Sequence, residues 1–225
     1  MNSNTIKNEL QQATPARKQS MAEEIANVLT HFLGGLMAIA GFVVLLVFSN
    51  KPDNFFQYLS ISIYGTSLVM VYTSSTLYHA IVSGPLKSLF RAIDQSAVFL
   101  LIAGTYTPVV VIFFHGIWMV SILTFIWSVS AIGILLRFLK PLIFSKVAVL
   151  LYLILGWSIM AAYNHAIENL PDGLFLWIGA GGLAYTVGLI FYAWKSMPFH
   201  HTWWHLFVIA GSAIHYFGLY IYLTN

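Results

Sequence analysis

Cysteine is absent from the 225-residue chain, which removes disulfides and thiolate metal ligands. Any metal must therefore be held by His, Asp or Glu. Charge is scarce as well. Asp, Glu, Lys and Arg make up 8% of the residues, against about a quarter in an average soluble domain. Internal repeats are missing, which counts against transporter folds built from inverted halves. What the chain has instead is apolar bulk, with 59% hydrophobic residues. A water-soluble fold of this size could not bury so much apolar surface, whereas lipid solvates it directly.

A spanning helix needs about 20 mostly apolar residues. Charge-free runs of that length cover 25–50, 54–86, 95–136, 147–167, 173–194 and 196–225. The third is too long for one helix and has a natural turn at Phe113-Phe114-His115-Gly116. The expected fold is therefore all-α, a seven-transmembrane helix bundle with helices at 26–49, 56–82, 92–114, 117–138, 141–162, 173–194 and 202–223. Ser20 and Glu23 fit a capping box before the first helix. Gly84-Pro85 is expected to end the second helix and Pro198 to interrupt the chain before the seventh. Pro108 is expected to kink the third. Residues 1–22 read as a retained polar cytoplasmic tail, and 23–225 as one membrane domain.

The few basic residues are unevenly placed. The tail and the even-numbered connections hold Lys7, Arg17, Lys18, Lys87, Arg91, Arg137, Lys140, Lys146 and Lys195, and the opposite side holds only Lys51. Lys and Arg favour the cytoplasmic side, so the N-terminus is expected inside and the C-terminus outside.

Ionisable residues near spanning helices are costly and mark function. Asp94 opens the third helix in this reading, and His79 closes the second, four residues after Ser75. His201 and His205 begin the seventh, and a spacing of four puts both on one helix face. The alternation of directions brings Ser75, His79, Asp94, His201 and His205 to one depth, the cytoplasmic leaflet. Three His ligands leave a fourth position open, the pattern of a catalytic rather than a structural zinc, and a nearby carboxylate can orient a water or take its proton. Blander roles compete at each position. The His201/His205 pair can snorkel to headgroups. Asp94 can pair with Arg91 or serve as a helix N-terminal charge, and Ser75 can back-bond to a helix carbonyl. His200 can replace His201 as a ligand. His31 is expected to line the site, His115 and His165 to be solvated in outer turns, and His215 to form a helix-to-helix hydrogen bond.

Several motifs are similar to those of one family. Glu23-Glu24-Ile25-Ala26-Asn27 with Thr30-His31 resembles the start of bacterial hemolysin III family proteins. Ser74-Ser75-Thr76-Leu77-Tyr78-His79 resembles that family's second helix. Asp94 followed by Leu100-Leu101-Ile102-Ala103-Gly104-Thr105-Tyr106-Thr107-Pro108 resembles its third. Phe199-His200-His201-Thr202-Trp203-Trp204-His205 resembles its seventh. The family is similar to the progestin and adipoQ receptors, which include the adiponectin receptors, and is grouped with alkaline ceramidases. The resemblance implies an inner-leaflet Zn2+ site with ligands at His79, His201 and His205. It also implies a water-contacting Asp at Asp94 and a supporting Ser at Ser75, the two expected catalytic residues.

Three functions follow as expectations. The first is a zinc-dependent, ceramidase-like hydrolase of a lipid amide or ester at the inner leaflet of the bacterial inner membrane. The second is a non-enzymatic membrane-property or lipid-homeostasis protein with a structural zinc. The third is a pore-forming hemolysin. Membrane lipids are the expected partners, one of them as substrate, and nucleic acid is not. The sequence leaves the oligomeric state open.

Overall fold

The structure, a computed structural model, describes residues 19–50 and 54–224. Lys7, Arg17, Lys18 and Lys51, and most of the expected tail, lie outside the described residues. Seven helices are long and apolar enough to cross a membrane: α1 (Met21–Phe48), α2 (Phe55–Ala80), α3 (Pro85–Phe113), α4 (Gly116–Leu139), α5 (Pro141–Asn169), α6 (Leu174–Ala193) and α7 (His200–Thr224). No strand occurs among the described residues.

The helix starts follow local chemistry. Ser20 Oγ accepts from Glu23 N–H (3.3 Å) and Glu23 Oε2 accepts from Ser20 N–H (2.7 Å), so the capping box forms and α1 begins at Met21. Asn54 Oδ1 caps α2 through Gln57 N–H (3.2 Å). The start of α3 corrects the sequence reading. Gly84-Pro85 opens α3 rather than merely closing α2, because Pro is favoured at the first helical position, where its missing N–H is not needed. Gly84 precedes it with φ 94°, a conformation open to glycine. Pro108 lies inside α3 without ending it, and the hydroxyls of Thr105 and Thr107 bond the carbonyls of Leu101 and Ala103 in the adjoining turn.

Helix α5 also departs from expectation. Its α-helical part stops at Gly156, a 3₁₀ segment runs Ser158–Ala162, and a last α-turn runs Tyr163–Asn169. Ser158 Oγ bonds back to Leu155 O (2.8 Å), a local competitor of the helical ladder. Tyr106 of α3 satisfies the break: its hydroxyl donates to Gly156 O (3.0 Å) and accepts from Ile159 N–H (3.0 Å). Backbone groups freed at membrane depth need such partners.

Helix α3 is the most enclosed of the seven and packs on α2, α4 and α5. Helix α1 lies between α2 and α7, and α6 packs on α7. At the α2–α3 contact a Cβ on Gly104 would collide with the Ser67 side chain, so glycine sets the approach of the two backbones. Large apolar side chains such as Leu36, Phe48, Leu135, Leu183 and Ile190 face outward, as expected when the surrounding solvent is lipid. The chain is a multi-pass membrane protein. Because successive helices reverse direction, the α2–α3, α4–α5 and α6–α7 connections share the end where α1 begins.

Candidate metal centre

Helix α1 carries a polar face near its start. Glu23, Asn27 and His31 recur at a spacing of four and are buried, with Thr30 beside them. That face meets the end of α2, which carries His79, and the first two turns of α7, which carry His201 and His205. The ligand nitrogens of these three histidines lie within 4.8 Å of one another. His200 is buried but outside this trio, and its ring centroid is 6.0 Å from that of His201. Of the doubled pair, His201 is the one the structure places in the cluster.

Neighbouring oxygen atoms favour the Nδ1–H tautomer in two of the three. His79 Nδ1 lies 2.6 Å from Glu24 Oε2. A carboxylate only accepts, so Nδ1 carries the proton and the Nε2 lone pair is free. That Nε2 atom is buried and has no protein partner. His205 Nδ1 lies 3.2 Å from Thr30 Oγ1. The single Thr30 proton points to the carbonyls of Ala26 and Asn27 (2.9 and 3.0 Å), so Oγ1 accepts from His205 Nδ1–H and again frees Nε2. Metal-bound histidines are held in this way by carboxylate or oxygen partners on the other ring nitrogen. The set fits a metal ion that prefers neutral imidazole ligands.

Further bonds join α1 to α7. Thr202 Oγ1 donates to Asn27 Oδ1 (2.6 Å), and Phe199 N–H donates to Glu23 Oε1 (2.7 Å). Phe199 is the one described non-glycine residue at positive φ (55°). Backbone strain of this kind collects where surrounding contacts hold a site in place.

The three histidines line a cavity of about 450 Å³ together with Ser75, Asp94 and His31. The five side chains placed at one depth by the sequence thus share one chamber. Asp94 is half-buried and is the tenth residue of α3, not its start, so the reading as a helix N-terminal charge falls with the earlier beginning at Pro85. Ser75 is buried, neighbours the Asp94 carboxyl, and closes no hydrogen bond of ordinary length. It does not back-bond to its own helix, whereas Ser74 beside it does so to Val71 O (3.2 Å). His31 stacks on His205 with ring centroids 3.5 Å apart and stands edge-on to Tyr72.

An apolar chamber continues from the histidine cavity. The two share Val71, Val98, Tyr152, Leu189, Trp204 and Val208, and the apolar part reaches Trp157 on α5 and Tyr185 on α6. At the opposite, polar end lie Lys87, Arg91 and Lys195. Lys87 Nζ bonds Glu24 Oε1 (3.0 Å) and Ile81 O (2.9 Å). Lys195, in the α6–α7 connection, sits 3.9 Å over the Tyr192 ring, and burial together with the charge of Arg91 holds its ammonium below the usual lysine pKa.

The other histidines divide. His115 is exposed as expected. His165 is half-buried, stacked on Trp118 (5.2 Å) and edge-on to Phe114 (5.0 Å), so packing replaces the expected solvation. His215 Nε2 donates to Ile178 O on α6 (3.0 Å), the expected helix-to-helix bond.

Sequence reading assigned no site role to Glu24, Asn27, Thr30 or Thr202. The signal available was the polar spacing on α1, where Asn27, Thr30 and His31 follow Glu23 and Glu24 in an otherwise apolar helix.

A seven-helix membrane bundle with a buried three-histidine cluster at one end is the class these features define. The chain belongs to the family described as "Haemolysin-III related", whose profile matches residues 19–216. It is similar to "Hemolysin-3" of Bacillus cereus, 38% identical over 205 residues, covering 91% of this chain and 94% of that protein. The "Hemolysin-3 homolog" of Bacillus subtilis (strain 168) is 36% identical over 206 residues, with 92% and 97% covered. The "Monocyte to macrophage differentiation factor" of Homo sapiens is 30% identical over 213 residues, with 92% and 87% covered. No solved structure gives a significant match.

Proposed function

We propose that the protein is a zinc-dependent hydrolase of a membrane-lipid amide or ester, acting at the inner leaflet of the bacterial inner membrane. The observation that carries this reading is one cavity joining three histidines, poised as ligands, to Asp94 and the Ser75 hydroxyl beside it. The skew of Lys and Arg supports an inside N-terminus, an outside C-terminus and a cytoplasmic tail at 1–22 ahead of the membrane domain at 23–225.

His79, His201 and His205 would hold the zinc, and Glu24 and Thr30 orient His79 and His205. Zinc bound there supplies Lewis acidity, polarising a carbonyl and lowering the pKa of a water. Asp94 accepts the proton of the attacking water and returns it to the leaving amine or alcohol as the carbonyl C–N or C–O bond breaks. Ser75, beside the Asp94 carboxyl, turns its hydroxyl to hydrogen-bond an oxygen of the substrate and keeps its proton. The apolar chamber receives the acyl chain and excludes water.

Zinc content and turnover, measured side by side on three proteins, test the reading. The native chain should hold about one zinc, in keeping with one three-His site. His205→Ala should lose zinc and turnover together. Asp94→Asn should keep zinc while losing about 10²–10⁴ in rate, the usual contribution of a general base. Full activity in Asp94→Asn removes it from the mechanism. Zinc bound without turnover on any of a broad set of lipid amides and esters favours the non-enzymatic membrane-property reading, with zinc in a structural role.

The name of the Bacillus cereus relative suggests a pore. Against it, the ionisable side chains of the cavity gather at one end of the bundle, and the buried hydroxyls of Ser60, Ser67, Ser74 and Thr107 are spent on their own helix carbonyls.

A further inference from the structure

The tendency of Lys and Arg to stay on one side of a membrane accounts for how many cations lie at this end of the bundle. It does not account for where they point. Arg137, Lys140 and Lys146 share that end and stay off the cavity; Arg137 bonds Gln95 Oε1 (2.5 Å) and lies over the Phe144 ring. Lys87, Arg91 and Lys195 line it. Two of these are held there by aromatic walls, Lys87 over Tyr78 (4.9 Å) and Lys195 over Tyr192 (3.9 Å).

Two carboxylates face the three cations. Glu24 is already engaged by His79 and Lys87, which are the ion pairs it makes among the described residues. Asp94 lies deeper, beside Ser75. Arg91 and Lys195 have no ion pair of their own among the described residues, and burial, with the charge of Arg91 nearby, lowers the proton affinity of Lys195. Asp94 offsets part of the Arg91 charge, but no ion pair closes on either cation, and like charges at the mouth of a partly buried cavity favour an anionic occupant, since attraction strengthens as water is excluded.

We infer that Arg91 and Lys195, backed by Lys87, form an anion-binding mouth that takes the phosphate of a lipid headgroup. The acyl chain of that lipid would lie in the apolar chamber and its carbonyl beside Asp94. This inference rests on the hydrolase reading and narrows its substrate class from acyl lipids in general to those with a phosphate-bearing head. Arg is suited to the role by its two-pronged donation to phosphate, and Lys by its compact charge.

Binding can be tested without turnover. Dodecyl phosphate has a phosphate and a twelve-carbon chain but no carbonyl to hydrolyse, and dodecanol has the same chain with an uncharged hydroxyl in place of the phosphate. Calorimetry on the purified full-length protein in maltoside detergent should find dodecyl phosphate bound at least about 10-fold more tightly, the scale of one charge-assisted hydrogen bond. Arg91→Gln with Lys195→Gln should abolish the preference while zinc content stays at the native level. Lys195→Gln alone, in a connection rather than a helix, should reduce it and guards against misfolding of the double variant. Chelated, zinc-free protein should keep the preference. Equal binding of the two probes, or a preference that survives the charge variants, overturns the inference and leaves hydrolysis standing. A preference lost only on chelation places the phosphate on the metal and also overturns it. Inorganic phosphate binding as tightly as dodecyl phosphate overturns the lipid source in favour of free phosphate. A preference that behaves as expected in a protein with no turnover keeps the mouth and refutes the hydrolase.

Discussion

Nδ1 of His79, near the end of α2, lies 2.6 Å from Oε2 of Glu24 in the first turn of α1, 55 residues earlier in the chain. The other oxygen of the same carboxylate holds Lys87 of α3 (3.0 Å). One carboxylate therefore ties three helices and sets the tautomer of a ligand histidine.

Glu24→Ala should lower zinc affinity about 10–100-fold, as removal of an outer partner of a metal-bound histidine typically does. Glu24→Gln should lose less, because its amide oxygen can still accept from Nδ1–H. Competition against a calibrated zinc chelator measures both. Native affinity in Glu24→Ala would show that the carboxylate does not hold the ligand.

Thr30 gives a milder version of the same test. Thr30→Val removes the acceptor of His205 Nδ1–H at nearly constant shape and should weaken zinc binding, and Thr30→Ser should restore it. Failure of serine to restore binding would assign the loss to packing.

The α2–α3 contact predicts a stability effect. Gly104→Ala forces a methyl group onto Ser67 and should cost about 1–3 kcal/mol, the range for overpacking a close-packed interior. Gly156→Ala has open space around the added carbon and should stay within about 0.5 kcal/mol, as for surface changes. Thermal melts in detergent compare the two, and equal melting temperatures would refute the assigned close approach.

Reporter fusions at the two ends test the orientation. The N-terminal reporter should respond as cytoplasmic and the C-terminal one as external, and both on one side would contradict an odd number of crossings.

Release of a small dye from liposomes separates the hydrolase from a pore. Reconstituted protein should leave the vesicles tight. Clear, zinc-independent leakage would move the pore reading to first place.

The sequence made the seven crossings legible because lipid imposes a simple rule, a long run without charge. Helix ends were less legible. Pro85 reads equally as a stop for one helix and a start for the next, and only the structure shows that it does the second. The stop at Gly156 depends on Tyr106, a distant residue that periodicity cannot point to. In the site, direction and depth were enough to bring His79, His201, His205, Asp94 and Ser75 together. The roles of Glu24 and Thr30 were not legible, because they depend on α1 lying between α2 and α7, a matter of lateral order that hydropathy does not encode. His165 was misjudged for a related reason: its packing partners, Phe114 and Trp118, come from the turn after α3 and the start of α4.

The seam between α1 and α7 has a consequence for the order of synthesis. Helix α1 supplies Glu23, Asn27 and Thr30, and the partners they bond, Phe199 just ahead of α7 and Thr202 and His205 within it, leave the ribosome 175 or 176 residues later. At the far end Asn50 bonds the carbonyls of Leu223 and Thr224 in the last turn of α7. Two of the three clustered histidines are themselves on α7. A nascent chain that has inserted six helices therefore has one histidine of the three and an unpaired polar face on α1. The cluster closes only once α7 has been made, so a chain terminated before it has no histidine cluster with which to capture an ion.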